Sequence, residues 1–444
     1  MADPRLADAL DRGSALLKEE RWEEAISEFT IALKLDRRNA AAYVGRGEAY
    51  GRLFAAKDNK KDLDRSLDDL SRAVELDPTS AKARCLRGVA YAERRELERA
   101  LADYEKAITL DPNNAVAYEG RGLLMNQQKH PDGAIADLSK AISLDPGVGR
   151  VYASRAVVYA EQLGDIEKAV ADLEKAAEVD PQRAASYRNM RDYFRRRAQL
   201  ETDIAESAKT IASNAVHAPA FLKRAMALYD RALLNHDKAD LERAIGDFNR
   251  CLQLKPDDSN AHAGRGEAYL MRGDVAKAIA DFDRAILLDP ANALAYRRRG
   301  VARHGGGNKS QAIADYTKAT ELEPAKAETY SNRGNAYLQE GLYDSAIADF
   351  NKAIEIDPTA VPAYDNRATA HGLKGQFKEA VADYTKAIDL SPTDGQLYYA
   401  RGMTFEQMGR FADARADYEF LLQHESTKQG LKLARERLAA IQFM

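Results

Sequence analysis

Ala327 to Thr359 reads AETYSNRGNAYLQEGLYDSAIADFNKAIEIDPT. Two helical patterns sit inside this stretch, separated by a turn at Gly341. The first places Tyr330, Gly334, Ala336 and Tyr337 at helical spacing. The second carries Ala346, Ile347, Phe350, Ala353 and Ile354, the i, i+3/i+4, i+7 pattern of an apolar stripe. Asp357-Pro358 ends it, because proline has no N–H to donate and disfavours a helical residue before it.

The unit recurs outward in both directions. Pro256, Pro290, Pro324, Pro358 and Pro392 lie 34 residues apart, as do Pro78, Pro112 and Pro146. A 34-residue helix–turn–helix period marks a repeat architecture. The Tyr-x-x-Arg-Gly-x-Ala-Tyr start, the turn glycine, the Ala-x-x-Asp-Tyr/Phe-x-x-Ala run and the closing proline resemble the tetratricopeptide repeat. The resemblance covers almost all of the chain. It implies an all-α fold, a right-handed α-solenoid superhelix of about twelve helix–turn–helix repeats. It also implies a binding scaffold.

In chain order, residues 1–183 hold repeats one to five. Repeat two carries seven extra residues within AYGRLFAAKDNKKDLDRSL, about two helical turns, predicted to lengthen each of its helices by about one turn. Repeat five has one extra residue near Gly164. Residues 184–218 form a degenerate repeat six, with Met190-Arg191 in place of Arg-Gly and no Ala-Asp-Tyr run. Two less regularly packed helices are expected there, forming a joint between two regular halves. Its Arg188, Arg191 and Arg195 share one helical face, read as a patch open to an anionic partner segment. Residues 219–427 hold repeats seven to twelve, and repeat seven repeats the long spacing of repeat two. Residues 428–444 form a capping helix with Leu431, Ala434, Leu438 and Ile441 as its stripe.

Eleven of the twelve repeats carry an arginine before the small residue of the first helix and an acid in the second helix. Arg333 and Asp349 are one such couple, Arg12 and Glu28 another. An arginine near a helix–helix contact is costly unless paired. The two series therefore read as ion pairs within each repeat, which removes most arginines from the list of ligand-binding candidates.

Composition sets further bounds. The 444 residues are 31% charged and 45% hydrophobic with a net charge of −4, which gives no sign of a dedicated polyanion binder. Cys85 and Cys251 are too few for a disulfide framework. The start MADPRLADALDRG has no apolar core for a signal peptide, and no stretch approaches the roughly 20 apolar residues of a membrane span. A cytoplasmic protein without membrane contact is expected.

Motifs for chemistry fall away one by one. GGGNKSQ at 305–311 fails as a phosphate loop, since Asn308 stands where the last glycine should be and the segment lies in a helix–helix turn. No HExxH pair, zinc-spaced cysteine cluster or nucleophile motif occurs, so no catalytic residue, metal or cofactor is expected. His262 and His371 occupy aromatic packing sites, and Cys251 replaces a buried alanine.

Function must then come from surfaces. The resemblance implies that first helices line a concave groove. Residues flanking the Arg-Gly pair on its opposite face are the candidates: Leu10, Leu17, Val44, Cys85, Val89, Leu123 and Val157 early in the chain. Arg188, Arg195, Leu222, Met226 and Tyr229 follow around the centre, then Arg297, His304, Asn335 and Tyr399. The family's chaperone-tail mode clamps a C-terminal carboxylate with lysine and asparagine, but here Glu48, Glu119 and Glu267 are acids on the expected groove. A second family mode holds peptide backbone with an asparagine ladder, for which Asn189, Asn332 and Asn366 would be local rungs. The leading reading is a non-catalytic scaffold binding a protein or peptide segment. A self-associating assembly module is the alternative. Nucleic-acid binding is disfavoured by net acidity and the missing aromatic–basic stripe.

Overall fold

The computed structural model describes residues 3–424 and 427–441, and among these the regular structure is twenty-four α-helices and one π turn. The chain divides into two compact units, Met1–Gln199 and Leu200–Met444. In the first, α1 (Pro4–Lys18) packs on α2 (Trp22–Leu35), α3 (Ala40–Lys57) on α4 (Lys60–Leu76), and α5 (Ala81–Glu93) on α6 (Leu97–Leu110). There α7 (Ala115–Gln127) also packs on α8 (Pro131–Leu144), and α9 (Gly149–Val158) on α10 (Ile166–Val179). A single helix, α11 (Ala184–Ser213), follows. The second unit pairs α12 (Ala218–Asn235) with α13 (Lys238–Leu254), α14 (Ser259–Arg272) with α15 (Val275–Leu288), and α16 (Ala293–Gly305) with α17 (Lys309–Leu322). It continues with α18 (Ala327–Gln339) on α19 (Tyr343–Ile356), α20 (Val361–Leu373) on α21 (Phe377–Leu390), and α22 (Gly395–Gln407) on α23 (Phe411–His424). The last helix, α24 (Lys428–Ala440), lies on α23.

The repeat of α18 and α19 shows why each pair closes. Gly341 takes φ +75°, a left-handed conformation that glycine adopts without a Cβ penalty, and ends α18. Leu342 N–H then donates to Tyr337 O at 2.9 Å. At the contact, a Cβ on Gly334 would stand 2.7 Å from Cε1 of Phe350. The missing side chain lets the ring lie on the α18 backbone, where Phe350, Ala346 and Ala353 are fully buried.

All eleven expected ion pairs form. Arg333 meets Asp349 in a two-pronged contact of 2.7 Å at both prongs. The weakest is Arg12–Glu28 at 3.2 Å, where the arginine is more than half exposed. The other pairs are Arg46–Asp69, Arg87–Asp103, Arg121–Asp137, Arg155–Asp172 and Arg224–Asp247 in the first seven repeats. Arg265–Asp281, Arg299–Asp315, Arg367–Asp383 and Arg401–Asp417 complete the series. The pairs do more than the sequence suggests, because the remaining guanidinium nitrogen reaches back to the preceding repeat. Arg46 donates to Thr30 at 3.2 Å, Arg265 to Asn249 at 2.7 Å and Arg401 to Thr385 at 3.0 Å. One side chain thus ties three helices.

The irregular repeats resolve in different ways. In repeats two and seven the first helices have 18 residues and the second 17, against 13 and 14 in α5 and α6. The extra residues are helical, as expected, and tight turns at Asp58 and His236 join them. The extra turn of α13 carries its own buried pair, Arg231 with Asp240 at 2.6 Å. The added residue of repeat five becomes a π turn, Tyr159–Leu163, closed by Gly164 at φ +68°. Repeat six departs from expectation. It holds one 30-residue helix, α11, not two, and the division between the units falls within it. The stretch RRRAQLETD at 195–203 has no glycine, proline or asparagine to break the helix, and its residues favour helix.

The C-terminal helix docks as read from its stripe, with Ala434 and Ile441 buried against Leu421 and Tyr418. The part of that segment at 442–444 lies outside the described residues, as do positions 425 and 426 of repeat twelve.

Replacing Asp349 with alanine strands a largely buried guanidinium and is expected to cost about 3 kcal/mol in urea unfolding. The same change at Glu28, whose arginine partner is solvated, is expected to cost less than about 1 kcal/mol. Equal losses at the two sites would contradict the role given to burial.

Candidate functional site: the face formed by the first helices

The periodicity of a helix decides which residues of α3, α5 and α7 can share an open face. Numbered from the paired arginine, positions −5, −1, +2 and +6 are spaced four, three and four apart and form one stripe. In α7 these are Val116, Gly120, Leu123 and Gln127, and all four line a cavity of about 680 Å³ in the first unit. Leu86, Val89 and Glu93 of α5 and Glu48 and Arg52 of α3 line the same cavity. Val89, Val116 and Leu123 are 37%, 45% and 38% exposed, so the lining is apolar and solvated.

The candidates named from sequence divide along this geometry. Val89 and Leu123, at position +2, line the cavity, as do Glu48 and Glu119. Met226 is the exposed +2 residue of α12. Position −2 is different, because it turns about 100° away from the stripe and into the crevice beside the next first helix. Val44 and Cys85 sit there, 8% and 4% exposed, and belong to the core, which corrects their place on the groove. Burial pushes the Cys85 thiol up to about 12, with Glu119 and Glu48 adding to the effect. Arg297, also at −2, is 6% exposed and pairs with Glu323 at 3.2 Å and Glu328 at 3.6 Å, so it is not an open groove residue either. Leu10, Leu17, Val157, Leu222 and Tyr399 are half-buried at the edges of core clusters. Tyr229 donates to Glu267 at 3.1 Å, and His304 lies 3.0 Å from Gln339. Asn332, Asn335 and Asn366 are half-buried.

The arginines of α11 are mostly neutralised. Arg195 meets Glu174 at 3.1 Å, Arg191 meets Asp192 at 2.9 Å, and Arg197 meets Glu161 at 2.8 Å. The basic face is therefore largely paired with acids of α10, the π turn and α11 itself, which corrects the reading of an open anion patch; Arg188 alone of the three is exposed without an ion pair among the described residues. The signal missed in the sequence is the acid of the preceding repeat at helix-packing distance, not within one turn.

Charges on the first helices are likewise paired from one repeat to the next. Lys82 reaches Glu48 at 2.8 Å, Arg150 holds Glu119 at 2.8 Å with two prongs, and Arg298 meets Glu267 at 3.3 Å. Asp365, at position −2 of α20, is half-buried and has no such partner among the described residues. Burial holds its pKa above the usual aspartate value, reinforced by Asp394. Other chemistry is absent in a limited sense: among the described residues no three His, Cys, Asp or Glu side chains group as metal ligands. His262 bonds to Asp281 and Pro256 O, and His371 to Gln376, which are structural contacts. GGGNKSQ forms the turn from α16 to α17, with Gly307 at φ +82°.

The chain belongs to the tetratricopeptide repeat family, whose profiles match residues 10–58, 81–114, 98–149, 149–183, 225–258, 259–292, 304–341, 327–360 and 373–409. A stretch of 87 residues, 19% of the chain, is 34% identical to Hsp70-Hsp90 organizing protein 1 of Glycine max and 30% identical to Hsp70-Hsp90 organizing protein of Triticum aestivum. The chain spans only 14% of the length of each of these relatives. Among solved structures, yeast Tom70 is 16% identical with a TM-score of 0.37, covering 100% of this chain and 96% of its own. The Cut9 complex with Hcn1 is 14% identical with a TM-score of 0.43, covering 96% and 95%. YrrB, described as a TPR protein with an unusual peptide-binding site, is 23% identical with a TM-score of 0.38, covering 46% and 97%.

Asp365 supplies a pH test. Its raised pKa means that the folded chain binds the proton more tightly than the unfolded chain, so this residue subtracts stability as pH rises through that range. Asp365→Asn is expected to raise the melting temperature at neutral pH. The gain should shrink on acidification from neutral pH to about pH 4, as the native carboxyl takes up its proton. Circular dichroism melts of both proteins at the two pH values would decide it, and a lower melting temperature for the variant at neutral pH would be the contrary result.

Proposed function

We propose that the chain is a non-catalytic scaffold that holds a protein or peptide segment against the first helices of its first unit. The observation that carries this is the cavity at α3, α5 and α7, where Val89, Val116 and Leu123 stay exposed side by side. Contiguous exposed apolar surface marks an interaction site more often than it marks ordinary surface. Its size suits a few anchoring side chains of a segment. Of the charges along it, Glu119 is paired with Arg150 and Glu48 with Lys82, while Arg52, Glu93 and Arg95 form no ion pair among the described residues, so apolar contact supplies the affinity and the open charges the register.

The plant relatives organise Hsp70 and Hsp90 by name, which makes a chaperone a natural candidate partner. Among the described residues no helix is long and apolar enough to cross a membrane.

The test is a random-peptide phage library panned against the full chain. Peptides with apolar anchors are expected, and the Val89→Glu, Leu123→Glu double variant should lose them while its melting temperature stays close to that of the parent, since both positions are partly exposed. Peptides retained by the double variant would overturn the reading. Concentration-dependent mass in light scattering, abolished by the same variant, would point instead to self-association.

A further inference from the structure

Position −2 of the first helices is a crevice between successive repeats, and three of its occupants in regular repeats are charged: Glu119, Arg297 and Asp365. Glu119 takes its counter-charge from position −5 of the next first helix, whereas Arg297 takes its nearer one from Glu323 at 3.2 Å, with Glu328 at position −5 farther off. Arg150 of α9 grips Glu119 through Nε and Nη2, and Glu328 of α18 stands 3.6 Å from Arg297. The sign is reversed between the two cases, and only Glu119 is held from position −5 by a two-pronged hydrogen bond. For Asp365 the equivalent residue is Gln396 of α22, which is exposed and neutral. Asp365 forms no hydrogen bond or ion pair with any described residue, and its carboxylate is half-buried. The charge that acts on it is that of Asp394, of the same sign.

A half-buried carboxylate without a counter-ion is a standing electrostatic cost, and the fold neutralises the equivalent charge at the two other sites. Asn332 of α18 and Asn366 of α20 hold position −1 of successive first helices, and neither side chain bonds to a described residue. We propose that the crevice at Asp365 in the second unit receives a lysine or arginine side chain from an extended partner segment. The cation takes the place that Arg150 fills beside Glu119. This rests on the reading of the first-helix face as a peptide-binding surface, but it names a different unit and a different chemistry.

Two substitutions test it from opposite directions. Asp365→Asn removes the charge. Gln396→Arg supplies an internal guanidinium at the position that serves Glu119, and should fill the crevice. The full chain is panned with a random-peptide phage library, and a selected peptide is then synthesised with its basic residue or with norleucine. The expected result is a lysine or arginine enriched at one register on the parent chain and not on either variant. Titration calorimetry should show binding of the synthetic peptide weakened at least about tenfold by either variant or by norleucine, and weakened by added salt. Selection without a fixed basic position, or equal affinity for the parent and both variants, would overturn the proposal. If apolar peptides sensitive to Val89→Glu and Leu123→Glu are still selected, only this inference falls. If no peptide is selected at all, the scaffold reading falls with it.

Discussion

The arginine–aspartate pair inside each repeat is the contact on which the rest depends. Arg333 lies between two helices whose backbones approach closely because Gly334 has no side chain and Phe350 covers it. Without the pair, a guanidinium and a carboxylate would both be desolvated at that contact, which no helix pair tolerates cheaply. With it, the planar fork satisfies both carboxylate oxygens and leaves one nitrogen for Thr317 or Thr320 of the preceding repeat. Tyr330 and Tyr337 stand against the same guanidinium, 5.6 and 6.0 Å from their ring centres. The intra-repeat contact and the inter-repeat contact are therefore made by one side chain.

Departures from regularity are absorbed where they leave that contact intact. Repeats two and seven lengthen both helices together, which keeps the facing stripes in phase and carries the added turn outward to a second pair at Arg231 and Asp240. Repeat five takes its single residue as a π turn beyond the Arg155–Asp172 pair. Repeat six has no such pair to preserve, and there the helix–turn–helix itself is given up for one continuous helix.

The pairing also governs what is left for binding. Because the in-repeat arginines are consumed, and because Glu48, Glu119 and Glu267 find cations on neighbouring first helices, most charge near the open face is internal to the fold. What remains free in the first unit includes the apolar Val89, Val116 and Leu123. In the second unit Met226 and Leu294 stay exposed on the same face, and Asp365 and the three asparagines make no side-chain bond to a described residue.

The helical pairs, the ion pairs and the longer helices of repeats two and seven were legible in the sequence. Each depends on spacing within about one repeat, where helical periodicity, glycine and proline act locally. Three things were decided only by tertiary structure. Whether α11 breaks or continues depended on the loss of the packing that closes other repeats, a competition that local propensity alone does not settle. The split of the candidate residues depended on how far one helix turns from its neighbour. Val89 and Leu123 at +2 are open, while Val44, Cys85 and Arg297 at −2 are covered by the next repeat. The pairing of surface charges, Arg195 with Glu174 or Arg150 with Glu119, joins residues 21 and 31 positions apart. Their distance is set by packing between helices, which the sequence constrains only through the fold.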